Sequence, residues 1–166
     1  MTGSGKAVVA PAAMAGENAS APEREEVETR FGKVSISRAN PIAFPSGLLG
    51  MPDKVQYALT AFPSEKFARF KLLQSLDDAS LSFITLPVEV DNGIVAREDL
   101  MQAASDLSIP EEHLAVLLIV SVHREMNGVR LSVNARAPVL MHALKRTAHQ
   151  YVFASSKYNI RHLISL

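Results

Sequence analysis

From Phe70 to Pro87 the sequence reads FKLLQSLDDASLSFITLP, and no other stretch narrows the possible folds as much. Two short apolar runs, Phe70–Ser75 and Leu81–Leu86, flank a polar turn at Leu76–Ser80. Runs of this length, carrying aromatic and β-branched residues and separated by Asp77-Asp78, predict a β-hairpin rather than a helix. An Asp side chain accepts hydrogen bonds from backbone N–H groups a residue or two on, which fixes such a turn. A lone hairpin is only marginally stable in water. The remaining segments must therefore cover this one, which is predicted to form the core of the fold.

Those segments read mostly as further strands. Val27–Arg30 and Lys33–Ile36 surround Phe31-Gly32, with Val34 and Ile36 alternating against Lys33 and Ser35. Asn40–Pro52 holds three Pro and two Gly among Ile42, Phe44, Leu48, Leu49 and Met51, which predicts a packed loop, either capping one end of the core or presenting a partner-facing surface. Val55–Phe62 is a strand, Pro63–Lys66 a turn, and Asp91-Asn92-Gly93 a strong turn signal. At Arg97–Leu107 the period changes: Leu100, Met101, Ala104 and Leu107 fall on one helical stripe, with Asp99, Gln102 and Asp106 off it. Glu98 and Asp99 stand in its first turn, where the helix dipole favours acids. Pro110-Glu111-Glu112 reads as a short helical turn. Leu114–Val122, predicted buried on both faces, and the half-exposed Val129–Ala135 bracket Met126-Asn127-Gly128. Pro138 restricts Ala137–Met141 to an edge or strand start, and Tyr151–Phe153 reads as a last short strand. The fold class is therefore mainly β: a small antiparallel β-barrel or roll with one or two short helices.

Residues 1–26 differ in composition. They lack aromatic residues and have only Val8 and Val9 as β-branched apolar side chains, so they cannot bury enough surface to offset ordering and are read as a disordered tail before a domain at 27–166. Lys6 with Ala7–Ala15 faintly imitates a signal peptide, but Pro11 interrupts the short apolar region. Gly3-Ser4-Gly5-Lys6 echoes the end of a phosphate loop, yet Ala7 stands where Ser or Thr would hold Mg²⁺, and the first Gly and preceding strand are missing. The absence of Cys excludes disulfides, thiolate catalysis and Cys-ligated metals. Seventeen basic against seventeen acidic residues leave no overall footprint for nucleic acid or an anionic membrane, although a local patch can hide within that balance. No apolar run approaches the ~20 residues of a membrane span.

The titratable residues carry no recognisable chemistry. His113, His123, His142, His149 and His162 lack ligand spacing. Asp77 and Asp78 are adjacent, so on a strand they would face opposite ways rather than pair, and a turn role suits them. Ser155-Ser156 lacks a nucleophile-elbow motif. Lys145-Arg146 with Arg136 is a small basic cluster. The chain end, SSKYNIRH at Ser155–His162, gathers Lys157, Tyr158, Arg161 and His162 before an apolar tip of Leu163, Ile164 and Leu166. Tyr and Arg are frequent anchors in protein interfaces. Such an end either docks back on its own domain or awaits a partner.

Four stretches together resemble one family. They are Thr29-Arg30-Phe31-Gly32; Phe44-Pro45-Ser46-Gly47-Leu48-Leu49-Gly50-Met51; Leu73-Gln74-Ser75-Leu76-Asp77-Asp78 running on to Leu81 and Phe83; and Asn134 with Ala137-Pro138-Val139, then Tyr158-x-x-Arg161-His162. In this order they resemble the flagellar assembly factor FliW family from about Val27 to Arg161, departing from its pattern at Leu49, Met51 and Ala79. The resemblance implies a non-enzymatic cytoplasmic protein without cofactor, monomeric when free. It also implies flagellin and the translational repressor CsrA as competing protein partners, with no direct nucleic-acid or membrane binding. Contacts are expected at Lys157, Tyr158, Asn159, Arg161 and His162, and secondarily at Gln74, Asp77 and Asp78. The alternatives are a small β-barrel cofactor-binding (flavin-type) module or enzyme, and direct RNA binding, which salt would abolish.

Overall fold

The computed structural model describes residues 23–165. The leader and phosphate-loop readings, and the tail reading for residues 1–22, lie outside the described residues. In chain order the strands are β1 (Glu25–Thr29), β2 (Gly32–Ile36), β3 (Ile42–Ala43), β4 (Gln56–Ala61), β5 (Lys71–Ser75) and β6 (Ser82–Val88). They continue as β7 (Leu114–Glu125), β8 (Gly128–Val133), β9 (Val139–His142), β10 (Thr147–Gln150) and β11 (His162–Ile164). One α-helix, α1 (Arg97–Asp106), and two 3-10 turns, Glu65–Phe67 and Glu111–His113, complete the described elements. Among the described residues, no helix is long and apolar enough to cross a membrane.

The predicted hairpin is β5–β6, in a register that sets Lys71 opposite Thr85 and Gln74 opposite Ser82. It lies near the middle of a nine-stranded sheet ordered β11-β8-β7-β6-β5-β4-β3-β10-β9. Strand β9 also pairs with β7, which closes β7, β6, β5, β4, β3, β10 and β9 into a ring. Long β7 has three neighbours along its length: Leu114–Leu117 pair with β9 in the closure, Val116–Ile119 pair with β6, and Val120–Glu125 pair with β8. Strand β8 carries β11 on its other side. The pairing is antiparallel except at β3–β10, where Thr147 meets Ala43 in parallel, so the expectation of a fully antiparallel barrel needs this one amendment.

Side chains alternate across a strand, and the two faces of the ring form separate cores. Ile42, Tyr57, Leu73, Leu117, Val139, Met141 and Ala148 point into one cluster, which draws on strands all round the ring and lies inside it. Phe44 and Leu48, from the predicted capping loop, join this inner cluster. The opposite face offers Ala58, Leu72, Ile84, Leu86, Val116, Leu118 and Leu140 to an outer cluster. The β1–β2 hairpin covers that cluster with Val34 and Ile36, and α1 covers it with Leu100, Ala103 and Ala104. Fully burying a Leu-sized side chain is worth ~1.5–3 kcal/mol, so neighbours such as Leu72 and Leu73 hold the sheet to both layers at once. Gly47 makes the capping loop possible: its φ is +66°, and a Cβ there would lie 2.2 Å from the Met51 carbonyl oxygen.

Several local expectations shift. Strand β1 begins at Glu25, two residues before the expected boundary, and Arg24 already donates to the Ser35 carbonyl at 2.6 Å. Burial on both faces of β7 holds from Val116 to Leu118, whereas Ser121 and Val122 are exposed. Ser132, expected to face solvent, is fully buried, because β11 lies along β8 and His123 Nε2 shares a 2.8 Å hydrogen bond with its hydroxyl. Tyr151–Phe153 is not a strand. Its N–H groups do reach carbonyls of Pro138 and Arg136, at 2.9 and 2.8 Å, but the regular pairing belongs to β10 just before it and to β11 after it. The apolar tip therefore docks back: Leu163 pairs with Ser132 while Ile164 packs on the outer core.

Candidate functional site

Three surfaces carry the candidate residues. The first is the β5–β6 turn. Gln74, with no exposed surface, donates from its amide to the carbonyls of Ser75 at 3.0 Å and Ala79 at 3.1 Å, and accepts from the Ser82 hydroxyl. Asp77 accepts from the backbone N–H groups of Val55 at 2.8 Å and Gln56 at 3.1 Å. Asp78 accepts from both the N–H and the hydroxyl of Ser80, and the Ser80 hydroxyl, first among these causes, holds the Asp78 carboxyl below its usual range. These residues lock the turn and tie it to β4. Gln74 therefore offers a partner no side-chain surface, whereas Asp77 is exposed and Asp78 half-buried.

The second surface is the C-terminal stretch. Tyr158 is 6% exposed and belongs to the outer core, which corrects the expectation that its ring faces a partner. Its hydroxyl accepts from the Ala96 N–H at 3.0 Å and donates to Asp99 in the first turn of α1. Lys157 reaches the same carboxylate at 3.0 Å. The Tyr158 hydroxyl first, and then Lys157, hold the Asp99 carboxyl below its ordinary value. Arg136 donates to the Tyr158 carbonyl at 3.0 Å, and Asn159 accepts from the Arg161 N–H at 2.8 Å. Lys157, Asn159 and Arg161 are exposed and His162 is half-buried. Among the described residues, no hydrogen bond or ion pair joins this set to the β5–β6 turn set.

The third surface was not anticipated from the residues. A groove of about 860 Å³ opens between the β1–β2 hairpin, the 3-10 turn at Glu65–Phe67 and the β7–β8 arm. Phe31, Phe62, Phe67 and Phe70 line it with Ile84 and Leu131. The rings contact one another in series: Phe31 with Phe62 at 5.8 Å, Phe62 with Phe67 at 6.3 Å and Phe67 with Phe70 at 6.4 Å between centroids. Arg30 lies 4.8 Å over Phe31, Lys66 5.6 Å over Phe67 and Arg69 4.8 Å over Phe70, distances at which the ring face attracts a cation. The sequence signal was available in the dipeptides Arg30-Phe31, Lys66-Phe67 and Arg69-Phe70, each a cation followed at once by Phe. His113 and His142 stack at 5.2 Å, but among the described residues no group of three His, Cys, Asp or Glu is placed to hold a metal.

A sequence model described as FliW protein matches residues 25–164. The flagellar assembly factor FliW of Syntrophus aciditrophicus (strain SB) is 32% identical over 135 residues, covering 81% of this chain and 83% of its own. That of Desulfitobacterium hafniense (strain DSM 10664 / DCB-2) is 29% identical over 136 residues, covering 81% and 86%. A solved crystal structure of the flagellar assembly factor FliW superposes with a TM-score of 0.63 at 20% identity, covering 84% of this chain and 96% of that one. At that identity the superposition speaks for the fold alone.

Proposed function

The chain belongs to the FliW family of flagellar assembly factors, and from that membership we propose that it binds flagellin and, in competition, the translational repressor CsrA. The observation that carries this reading is the family match across residues 25–164, nearly the whole described domain. When flagellin accumulates in the cytoplasm, it occupies the factor and leaves CsrA free to silence flagellin mRNA. Export of flagellin releases the factor to capture CsrA, and translation resumes. Such a switch needs differential binding energy and no covalent step. The exposed side chains of Lys157, Asn159, Arg161 and His162, with Asp77 and Asp78 as the second set, are the proposed contacts, while Tyr158 and Gln74 hold the backbone that presents them.

Calorimetric titration of the purified chain with monomeric flagellin, with CsrA, and with each in the presence of the other tests this proposal. Binding of both, with mutual displacement, is the expected result. Binding of flagellin alone removes the translational arm. No binding of either, confirmed by a second assay, removes the proposal.

A further inference from the structure

We infer that the aromatic groove docks a segment of a partner protein that presents bulky apolar side chains flanked by carboxylates, an inference that rests on the reading of this chain as a protein-binding factor.

The first support is the course of the β7–β8 arm. Val120, Val122 and Arg124 on β7 share one sheet face with Val129, Leu131 and Val133 on β8. At its inner end that face is core: Val120, Leu131 and Val133 are buried. Two residues beyond Val120 on β7 and beyond Leu131 on β8, the same face emerges toward solvent, and Val122 and Val129 are each 44% exposed. The aromatic floor continues this uncovered face across the groove. A contiguous apolar surface rimmed by polar groups is the usual form of an interaction site on a soluble protein, and the groove's volume falls in the range of ligand-binding clefts, about 300–1,000 Å³.

The second support is charge, which selects the occupant. Arg30, Lys66, Arg69 and Arg124 stand in or beside the groove. Among the described residues, none of these four lies within ion-pair distance of a carboxylate, whereas Arg38, Lys54, Arg97, Arg130 and Lys157 each do. Arg30 and Arg69 donate one N–H each to the carbonyls of Ser82 and Ser165 and keep further donors. Carboxylates that match such cations gain charge-assisted hydrogen bonds, bidentate ones at guanidinium groups. Stacking on Phe31 and Phe70 limits the freedom of Arg30 and Arg69, so less side-chain entropy remains to be lost on binding. Within a chain of zero formal charge, the described residues thus form a locally cationic, aromatic-floored cleft, complementary to an acidic apolar segment.

The test pans a random-peptide phage library against the full chain, then titrates the fluorescent consensus peptide by anisotropy. The expected consensus holds at least two bulky apolar residues with net negative charge. Val129→Glu, at an exposed position on the groove, weakens it by about tenfold or more, whereas Ile160→Glu, exposed but outside the groove, leaves it unchanged. A neutral or cationic consensus, a consensus that binds Val129→Glu as tightly, or no enrichment at all overturns the inference. So does a labelled single-stranded oligoribonucleotide that binds tightly and is lost in Val129→Glu, since that assigns the aromatic floor to stacked bases instead. Flagellin and CsrA titrations of the unaltered chain report separately on the proposed function, so failure of one reading does not masquerade as failure of the other.

Discussion

Replacing Tyr158 by alanine separates a docking tail from a structural clamp. The Tyr158 ring is buried, 5.0 Å from the Phe153 ring centroid and packed in the outer core. Removing a ring of this size from a core costs ~3–5 kcal/mol, and the Ala96 N–H also loses its acceptor. For a chain of this length each kcal/mol moves Tm by about 2–4 °C, so the alanine variant should melt lower by about 10 °C. Tyr158→Phe keeps the ring and loses only the hydroxyl's two hydrogen bonds, at a cost of about 1–2 kcal/mol. Thermal melts followed by circular dichroism, with urea titrations to check that m is unchanged, measure both. The pH dependence has a defined sign. Asp99 is held below its ordinary value by Tyr158 and Lys157, so its contribution is present above the unfolded pKa and is lost as pH falls through the folded one. The gap between Tyr158→Phe and the unaltered chain should therefore narrow below about pH 4. An alanine variant with unchanged Tm would refute the clamp and return Tyr158 to the partner-facing surface.

Three further substitutions probe the inner core and its capping loop. The Tyr57 hydroxyl is buried without a hydrogen-bond partner, and burial pushes its phenol up to about 12. Tyr57→Phe should raise stability by about 1–2 kcal/mol at neutral pH. Its advantage should grow as pH rises from about 10 toward 12, where a raised native pKa makes the tyrosine form lose stability. Urea midpoints at neutral and alkaline pH measure this, and a phenylalanine variant less stable at both contradicts it. Gly47→Ala should destabilise far more than Gly50→Ala. Both have positive φ, which costs about 1–2 kcal/mol for a side chain, but only Gly47 sets the new Cβ against backbone, while Gly50 has nothing within 4 Å. Equal urea midpoints for the two variants would contradict the account of the capping loop.

What could be read in the sequence was local. The β5–β6 hairpin, the Asp77-Asp78 turn, the stripe of α1 and the packed loop at Asn40–Pro52 each rest on spacings within a few residues. Asp78 accepts from the Ser80 N–H two residues on, as turn chemistry suggested, whereas the Asp77 carboxylate reaches across to the N–H groups of Val55 and Gln56, more than twenty positions back. Strand β10 was missed because Thr147-Ala148-His149-Gln150 lacks an apolar alternation, and its pairing with β9 and β3 supplies the order instead. Tyr158 looked like an anchor for a partner because its real partners, Ala96 and Asp99, lie some sixty positions away. The cation–Phe dipeptides of the groove stand in the sequence, but their meeting was not legible, since the floor joins Phe31 to Phe62, Phe67 and Phe70 only after the β1–β2 hairpin has folded over the sheet.

The division of strand β7 between ring and arm has a kinetic consequence. Leu114–Ile119 are pinned in the ring by β9 and β6, while Val120–Glu125, β8 and β11 extend beyond it, held by continuation of the backbone, by packing on the outer core and by the Asn134 N–H bond to the Ile119 carbonyl. Opening the arm need not break the ring, so the two halves of one strand should belong to different cooperative units. In hydrogen–deuterium exchange the amides of Leu114–Leu117 would report global unfolding, and those beyond Val122 a cheaper, separate event. One wall of the groove would then breathe while the barrel beside it stays shut, letting the width of the cleft adapt without any cost in the stability of the fold that carries it.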